Sequence, residues 1–332
     1  MKLTINSLRS LLQNRLSALP GGAQLWITLV SFGFLIAALQ GHGRQMLQLG
    51  LDRQGWWWLL LAVGLSQLSL AANGFGLGVL LRWLGLRPRW GALLQMYLET
   101  NLRKYLPGGI WHLTTRLQRL RDIEGPLLSP ASLGLSLVAV ILDPLVAAVA
   151  ALALVALGGW QGGLALLALL PLLMLWPRWL APVLDRLEQR QARRMQIDAP
   201  LAPTAPPLHL ALAGYPLLPL LAQAGFVLLR FSGFACCIVA FNVQDTLTWT
   251  QWLAGFALAW TVGLVVPGAP GGLGVFEAAL LLRLGSVAPE ASLLAIALCY
   301  RVVVSLADLI AAGTARLDGW LDRRPTPEIK GG

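Results

Sequence analysis

Hydrophobic residues occupy this chain in long, nearly unbroken runs, and the polar residues are gathered between them. Two examples are the stretches "LWITLVSFGFLIAAL" and "ASLGLSLVAVILDPLVAAVAALALVAL". Such runs approach or exceed the roughly 20 apolar residues that a helix needs to cross the core of a bilayer. The pattern predicts seven membrane-spanning helices, at about 23–39, 56–81, 131–157, 160–177, 208–241, 249–266 and 289–315.

The composition agrees with this pattern, because 57% of the 332 residues are hydrophobic and only 12% are charged. A soluble domain would carry about 25% charged residues. The sequence therefore predicts an all-α fold, a polytopic transmembrane helical bundle that forms a single domain over residues 23–316. The parts outside its spans are predicted to be an N-terminal cytoplasmic amphipathic arm (1–22), a cytoplasmic connector (182–207) and a C-terminal tail (317–332).

The net charge of +10 is unevenly distributed along the chain. Of the 25 lysines and arginines, 20 lie in the N-terminal arm, in 82–121, in 178–207 and in 316–332. Lys and Arg collect in cytoplasmic loops of membrane proteins, so this charge does not indicate a nucleic-acid partner. We expect a multi-pass protein of the plasma (bacterial inner) membrane with its N-terminus in the cytoplasm. A cytoplasmic C-terminus requires an even number of crossings, and a short helix at 273–286 would supply the eighth.

Two segments interrupt the apolar pattern in the same way. They are "KYLPGGIWHLTTR" (104–116) and "VVPGAPGGLGVFE" (265–277), and each follows a predicted helix of about four turns. Pro removes a backbone donor and Gly relaxes φ, so backbone groups are left free at these positions. Interrupted helices at corresponding places in two halves are typical of transporter sites. The two motifs predict broken or re-entrant helices and an inverted pseudo-repeat, unless each Pro-Gly-Gly is only a turn at the membrane edge.

Charged residues inside apolar segments are costly and often functional. Arg301 and Asp308 lie on one helix face two turns apart, too far apart to pair directly, though each could meet a partner on another helix. Glu277 begins the helix after the second motif, where a carboxylate complements free backbone amides. The other such charges are Glu99, Asp143, Arg230 and Arg283, and the two arginines could equally extend to the membrane interface.

Three stretches, "NLRKYLPGGIW", "PGAPGGLGVFEAAL" and "YRVVVSLADL", resemble the lysylphosphatidylglycerol synthase transmembrane-region family. This family is also known as flippase-like integral membrane proteins and includes the membrane part of the multiple peptide resistance factor. The resemblance covers roughly residues 23–316 and implies a polytopic helical fold with re-entrant helices that handles phospholipids or other lipid-linked substrates. In two-part members a soluble aminoacyltransferase domain follows the membrane part. From its end at Gly332 we expect this chain to lack that portion and not to be an enzyme.

The resemblance also implies a set of substrate-binding residues. They are Asn101, Arg103, Lys104, Pro107, Gly108, Gly109, Trp111, Pro270, Gly271, Gly272, Gly274, Glu277, Tyr300, Arg301 and Asp308; Arg116 is added because it is a further cation beside the first motif.

The function expected from these residues is that of a lipid flippase or lipid transporter. A headgroup phosphate would contact Arg103, Lys104 and the free amides after Gly109, while the acyl chains stay in the bilayer. No nucleotide-binding or metal-binding motif occurs, so no cofactor and no metal are expected. Two alternatives stay open: a transporter of small polar solutes or ions, and a non-transporting lipid-binding partner of an envelope enzyme. The expected partner is a membrane phospholipid or lipid-linked substrate, and a homodimer or a complex with an envelope enzyme is also left open.

Overall fold

The computed structural model describes residues 50–105, 111–158, 164–179, 214–266 and 274–321, with the single residues 182 and 272. Within these ranges the chain is helical and forms no β-sheet, which confirms the predicted all-α class. The predicted span 23–39, the arm 1–22, and most of the connector and of the tail lie outside the described residues.

The described residues include nine α-helices. They are α1 (Arg53–Trp83), α2 (Trp90–Asn101), α3 (Trp111–Arg121), α4 (Leu133–Val155), α5 (Leu164–Met174), α6 (Leu217–Ala240), α7 (Trp249–Val265), α8 (Val275–Leu284) and α9 (Glu290–Leu321).

Four segments are long and apolar enough to cross a membrane. They are Arg53–Trp83, Leu133–Gly158, Leu217–Ala240 and Glu290–Asp318, which contain α1, α4, α6 and nearly all of α9. These segments correspond to the predicted spans 56–81, 131–157, 208–241 and 289–315. Helix α6 begins at Leu217, directly after Pro216.

Helices α1 and α6 pack against each other in antiparallel orientation along their lengths. Gly55 near the start of α1 meets the end of α6, where an added Cβ would lie 2.8 Å from the carbonyl oxygen of Ala240. Further along, Gly233 of α6 lies against Ser66 of α1, and its Cβ would be 2.7 Å from the Ser66 hydroxyl. Small residues permit this close approach of two helices in a membrane protein.

The long helices define two ends of the molecule. At one end the α1–α2 and α3–α4 loops are joined by backbone hydrogen bonds, among them Arg89 N to the carbonyl of Pro126 at 2.8 Å. We call this the arginine-rich end, because its exposed side chains include Arg82, Arg87, Arg89, Arg119 and Arg121. The opposite end contains the contact between Gly55 and Ala240 and the loop 241–248 that follows α6.

The two shorter helix pairs lie at opposite ends. Helices α7 and α8 are antiparallel, since Gly255 packs on Leu284 and Gly263 packs on Phe276. The loop after α8 and the start of α7 therefore both lie at the opposite end. Helix α2 begins at the arginine-rich end and runs antiparallel to α9, where Gln95 donates to the carbonyl of Ala315 at 3.1 Å. Helix α3 returns to the arginine-rich end at Arg121.

Candidate functional site

The turn that follows α2 carries a buried ion pair with α9. Residues Leu102–Tyr105 form a single 3₁₀ turn before the first Pro-Gly-Gly motif. Lys104 Nζ lies 2.6 Å from Asp308 Oδ2, and Asn101 Nδ2 donates to Asp308 Oδ1 at 2.8 Å. The hydroxyl of Tyr105 also donates to Asp308. The carboxylate of Asp308 thus accepts from three side chains, and only 1% of that residue is exposed.

A second buried pair joins α3 to the middle of α4. Arg116 Nη1 lies 3.5 Å from Asp143 Oδ2, and Arg116 Nε donates to the Thr100 hydroxyl at 3.2 Å. The guanidinium also stacks over the ring of Tyr97, with its carbon 3.6 Å from the ring centroid. Gln223 of α6 donates to the other oxygen of Asp143 at 2.9 Å. Side chains from four helices therefore meet around this pair.

The third pair lies beside the second Pro-Gly-Gly motif. Arg301 Nε donates to Glu277 Oε1 at 2.8 Å, and Arg301 Nη2 donates to the carbonyl of Gly272 at 2.6 Å. Glu277 is in the first turn of α8 and is fully buried. Gly272 and Gly274 have φ values of +72° and +77°, which glycine adopts without strain. The motif backbone is thus attached to α9 through one arginine.

Helix α9 connects the two motifs. Arg301 and Asp308 are seven residues apart, or about 10.5 Å along the helix axis. Asp308 contacts the 3₁₀ turn before the first motif. Arg301 contacts the backbone of the second motif at Gly272 and the first turn of α8 at Glu277. Each residue thus meets a partner from another element, as its spacing allowed.

Other predicted site residues lie at the edge of this arrangement. Arg103 is exposed and donates to the Thr115 hydroxyl, so that it ties the 3₁₀ turn to α3. Trp111 is half exposed. Tyr300 places its ring among core aromatic rings, 5.3 Å from that of Phe234 between centroids. The predicted residues Pro107, Gly108, Gly109, Pro270 and Gly271 lie outside the described residues.

The structure adds residues that the sequence did not assign to the site. Arg230 is 7% exposed and lies in the middle of α6, where its Nη1 donates to the Ser69 hydroxyl at 3.3 Å. It therefore points into the protein and does not extend to the membrane interface. Its electrostatic partners include Asp308 and Tyr105. An arginine inside an apolar span was the available signal, but the sequence alone did not indicate which way it points.

Comparisons with known proteins agree with the motifs. The family model described as "Lysylphosphatidylglycerol synthase TM region" matches residues 24–312. That range is most of the chain, and it includes both Pro-Gly-Gly motifs and the three buried ion pairs. No curated protein matches the chain.

Proposed function

This chain belongs to the lysylphosphatidylglycerol synthase transmembrane-region family, and from that premise we propose that it binds phospholipid headgroups inside the membrane and carries them across it. The observation that supports this proposal best is the set of buried ion pairs along α9. Lys104 with Asp308 and Arg301 with Glu277 lie against a helix that is long enough to span the bilayer.

Buried ion pairs of this kind usually contribute little to the net stability of a fold. Removing two charges from water costs several kcal/mol per ion, which their attraction only partly offsets. Well-packed apolar side chains of similar volume would often stabilise the fold as well or better. Charges inside membrane helices are accordingly associated with substrate and ion pathways. This supports a role in handling a charged substrate.

The positions of the motifs support a two-sided arrangement. The α2–α3 pair has its outer ends at the arginine-rich end, and the α7–α8 pair has its outer ends at the opposite end. At the inner end of each pair a described residue of the interrupted segment contacts α9, namely Lys104 in the first and Gly272 in the second. We infer that the pairs are re-entrant hairpins that enter from opposite membrane faces. Inverted arrangements of this kind place transporter sites near the middle of the bilayer.

In the proposed mechanism, the headgroup competes for the cations of these pairs. Its phosphate contacts Lys104 or Arg301 when the carboxylate partner moves away, and an amino headgroup, if present, can contact the released Asp308 or Glu277. The acyl chains remain in the bilayer throughout. Transport and not aminoacyl transfer is the activity that we assign to this membrane domain.

The test is transport of labelled phospholipid in vesicles that contain the full-length protein. The key variant is Lys104→Gln with Asp308→Asn, which removes both charges of this pair together. Wild type is expected to move at least one phospholipid class across the bilayer, and the double variant to move it at least about tenfold more slowly. The matched control is Arg119→Gln, which removes an exposed cation at the arginine-rich end.

Several outcomes of this assay would reject the proposal. Wild type that moves no phospholipid faster than protein-free vesicles would reject lipid transport. Uptake of small polar solutes by the same vesicles would support the solute-transporter alternative. Equal rates for wild type and the double variant would reject the role of the Lys104–Asp308 pair.

A further inference from the structure

Arg230 differs from the other buried cations because it forms no salt bridge or hydrogen bond with a carboxylate among the described residues. Its one side-chain hydrogen bond there is to Ser69, at the long distance of 3.3 Å, and its Nε makes no hydrogen bond with any described group. The residue is more than nine-tenths buried, halfway along a helix that can span the membrane.

The surrounding charges leave an excess of one positive charge. Lys104, Arg116 and Arg230 are the cations of the buried network between α2, α3, α4, α6 and α9, while Asp143 and Asp308 are its carboxylates. Asp308 is occupied by Lys104, and Asp143 is occupied by Arg116. An isolated charge in a low-dielectric site is strongly unfavourable. An anion from outside the described chain would remove this cost.

The chemistry around Arg230 suits one oxyanion. A guanidinium is planar, always charged, and matches phosphate or carboxylate oxygens with parallel N–H groups. The Ser66 hydroxyl, one turn from Ser69 on α1, also lacks a hydrogen-bond partner among the described groups. The carbonyl of Arg230 accepts from the hydroxyl of Tyr300 at 3.5 Å, which ties this turn of α6 to α9.

We propose that Arg230 binds the phosphate of the substrate in the resting protein, before the phosphate contacts Lys104 or Arg301, and that the site selects a singly charged phosphodiester. This inference rests on the proposed function and extends it. A phosphodiester carries one negative charge and balances the single excess positive charge. A phosphomonoester or free phosphate carries a charge of about −1.5 to −2 near neutral pH, which exceeds the single excess positive charge. Lys104, Arg116 and Arg301 have internal carboxylate partners and contribute less to resting affinity.

The experiment compares wild type, Arg230→Gln and Ser69→Asp, purified at full length and reconstituted in nanodiscs. The matched control is Arg283→Gln, which removes another arginine from an apolar segment far from this network. Binding of fluorescent phosphatidylglycerol, a phosphodiester lipid, is titrated, and thermal stability is measured without and with that lipid. Inorganic phosphate and phosphatidic acid, a phosphomonoester lipid, are tested as competitors.

Arg230→Gln is expected to bind phosphatidylglycerol about ten- to hundredfold more weakly, since it loses charge-assisted hydrogen bonds. Without lipid it is expected to be as stable as wild type or more stable, because an uncompensated charge is gone. Ser69→Asp is expected to raise lipid-free stability and also to weaken lipid binding, because it supplies an internal counterion. Arg283→Gln is expected to retain wild-type affinity.

The outcomes separate this inference from the proposed function. If wild type binds phosphatidylglycerol and Arg230→Gln binds it equally well, the role of Arg230 is wrong and lipid handling stands. If wild type binds no phospholipid at all, the proposed function itself fails. If inorganic phosphate or phosphatidic acid binds more tightly than phosphatidylglycerol, the selection of a phosphodiester is overturned.

Discussion

At the scale of single residues, buried charges are held by several neighbours at once. The Arg116 guanidinium contacts a carboxylate, a hydroxyl and an aromatic face, and Asp143 also accepts from Gln223. When one member of such a pair is removed, the other is left as an uncompensated buried charge. The energetic effect of a substitution therefore depends mainly on what remains behind.

Arg116→Met is expected to destabilise the protein by about 3–5 kcal/mol, because Asp143 keeps a charge with no nearby cation. Adding Asp143→Leu to that variant should restore a large part of the loss. Unfolding of the two single variants and the double variant in detergent gives the coupling energy between the residues. Losses that simply add in the double variant would contradict a direct interaction between the two side chains.

Gly272→Ala is expected to destabilise the protein by about 1–3 kcal/mol. The residue has φ of +72°, and an added Cβ would lie 2.9 Å from the carbonyl oxygen of Gly263. Gly313→Ala in α9 is the control, because an added methyl there meets nothing within 4 Å. Thermal unfolding should show a loss for the first substitution and no loss for the second; equal effects would show that the backbone at Gly272 tolerates a side chain.

At the scale of helices, close packing depends on small residues at particular contacts. Gly233 and Ser66 allow α6 to approach α1 near the level of Arg230. Such contacts matter in a bilayer, where helix association depends on packing and hydrogen bonds more than on removal of apolar surface from water. The α1–α6 pair is accordingly a structural support for the network around Arg230.

Gly233→Leu is expected to separate α1 from α6 and to lower the unfolding temperature clearly, because its Cβ alone would overlap Ser66. Gly225→Leu on the same helix is the control, since that position is exposed and an added Cβ meets nothing within 4 Å. Scanning fluorimetry of both variants in one detergent makes the comparison. Comparable unfolding temperatures for the two variants would argue against a tight α1–α6 contact.

At the scale of the whole molecule, the distribution of arginines predicts its orientation. The exposed arginines at the C-terminal ends of α1 and α3 and in the α1–α2 loop lie at one end, and the loop 241–248 lies at the other. Positive residues favour the cytoplasmic side. We therefore expect the arginine-rich end to face the cytoplasm, together with the N-terminus.

Single cysteines at Arg119 and at Asp245, in a background without the three native cysteines, test this orientation. A membrane-impermeant maleimide added to intact spheroplasts is expected to label Asp245→Cys and to leave Arg119→Cys unlabelled. Both positions should react after the membrane is permeabilised. Labelling of Arg119→Cys from outside would show that the orientation is reversed.

Much of the fold could be predicted from sequence because its signal is local. Apolar runs identified the four helices that are long and apolar enough to cross a membrane, whereas the predicted spans 160–177 and 249–266 correspond to the shorter helices α5 and α7. Helices α2 and α7 both end a few residues before a Pro-Gly-Gly sequence, at Asn101 and Val265. The spacing of Arg301 and Asp308 indicated that they do not pair directly and that each could have a partner elsewhere. The partners could not be predicted, because Lys104 with Asp308 and Arg116 with Asp143 are contacts between distant segments. The inward direction of Arg230 likewise depends on how α6 packs against α1.

Helix α9 contacts both interrupted segments, so the two contacts are mechanically linked. The contacts of α9 with the first motif at Asp308 and with the second at Arg301 are fixed on the same rigid rod, about 10.5 Å apart. A slide or tilt of that rod acts on both attachments simultaneously. We therefore expect a displacement at one of these contacts to shift the other as well.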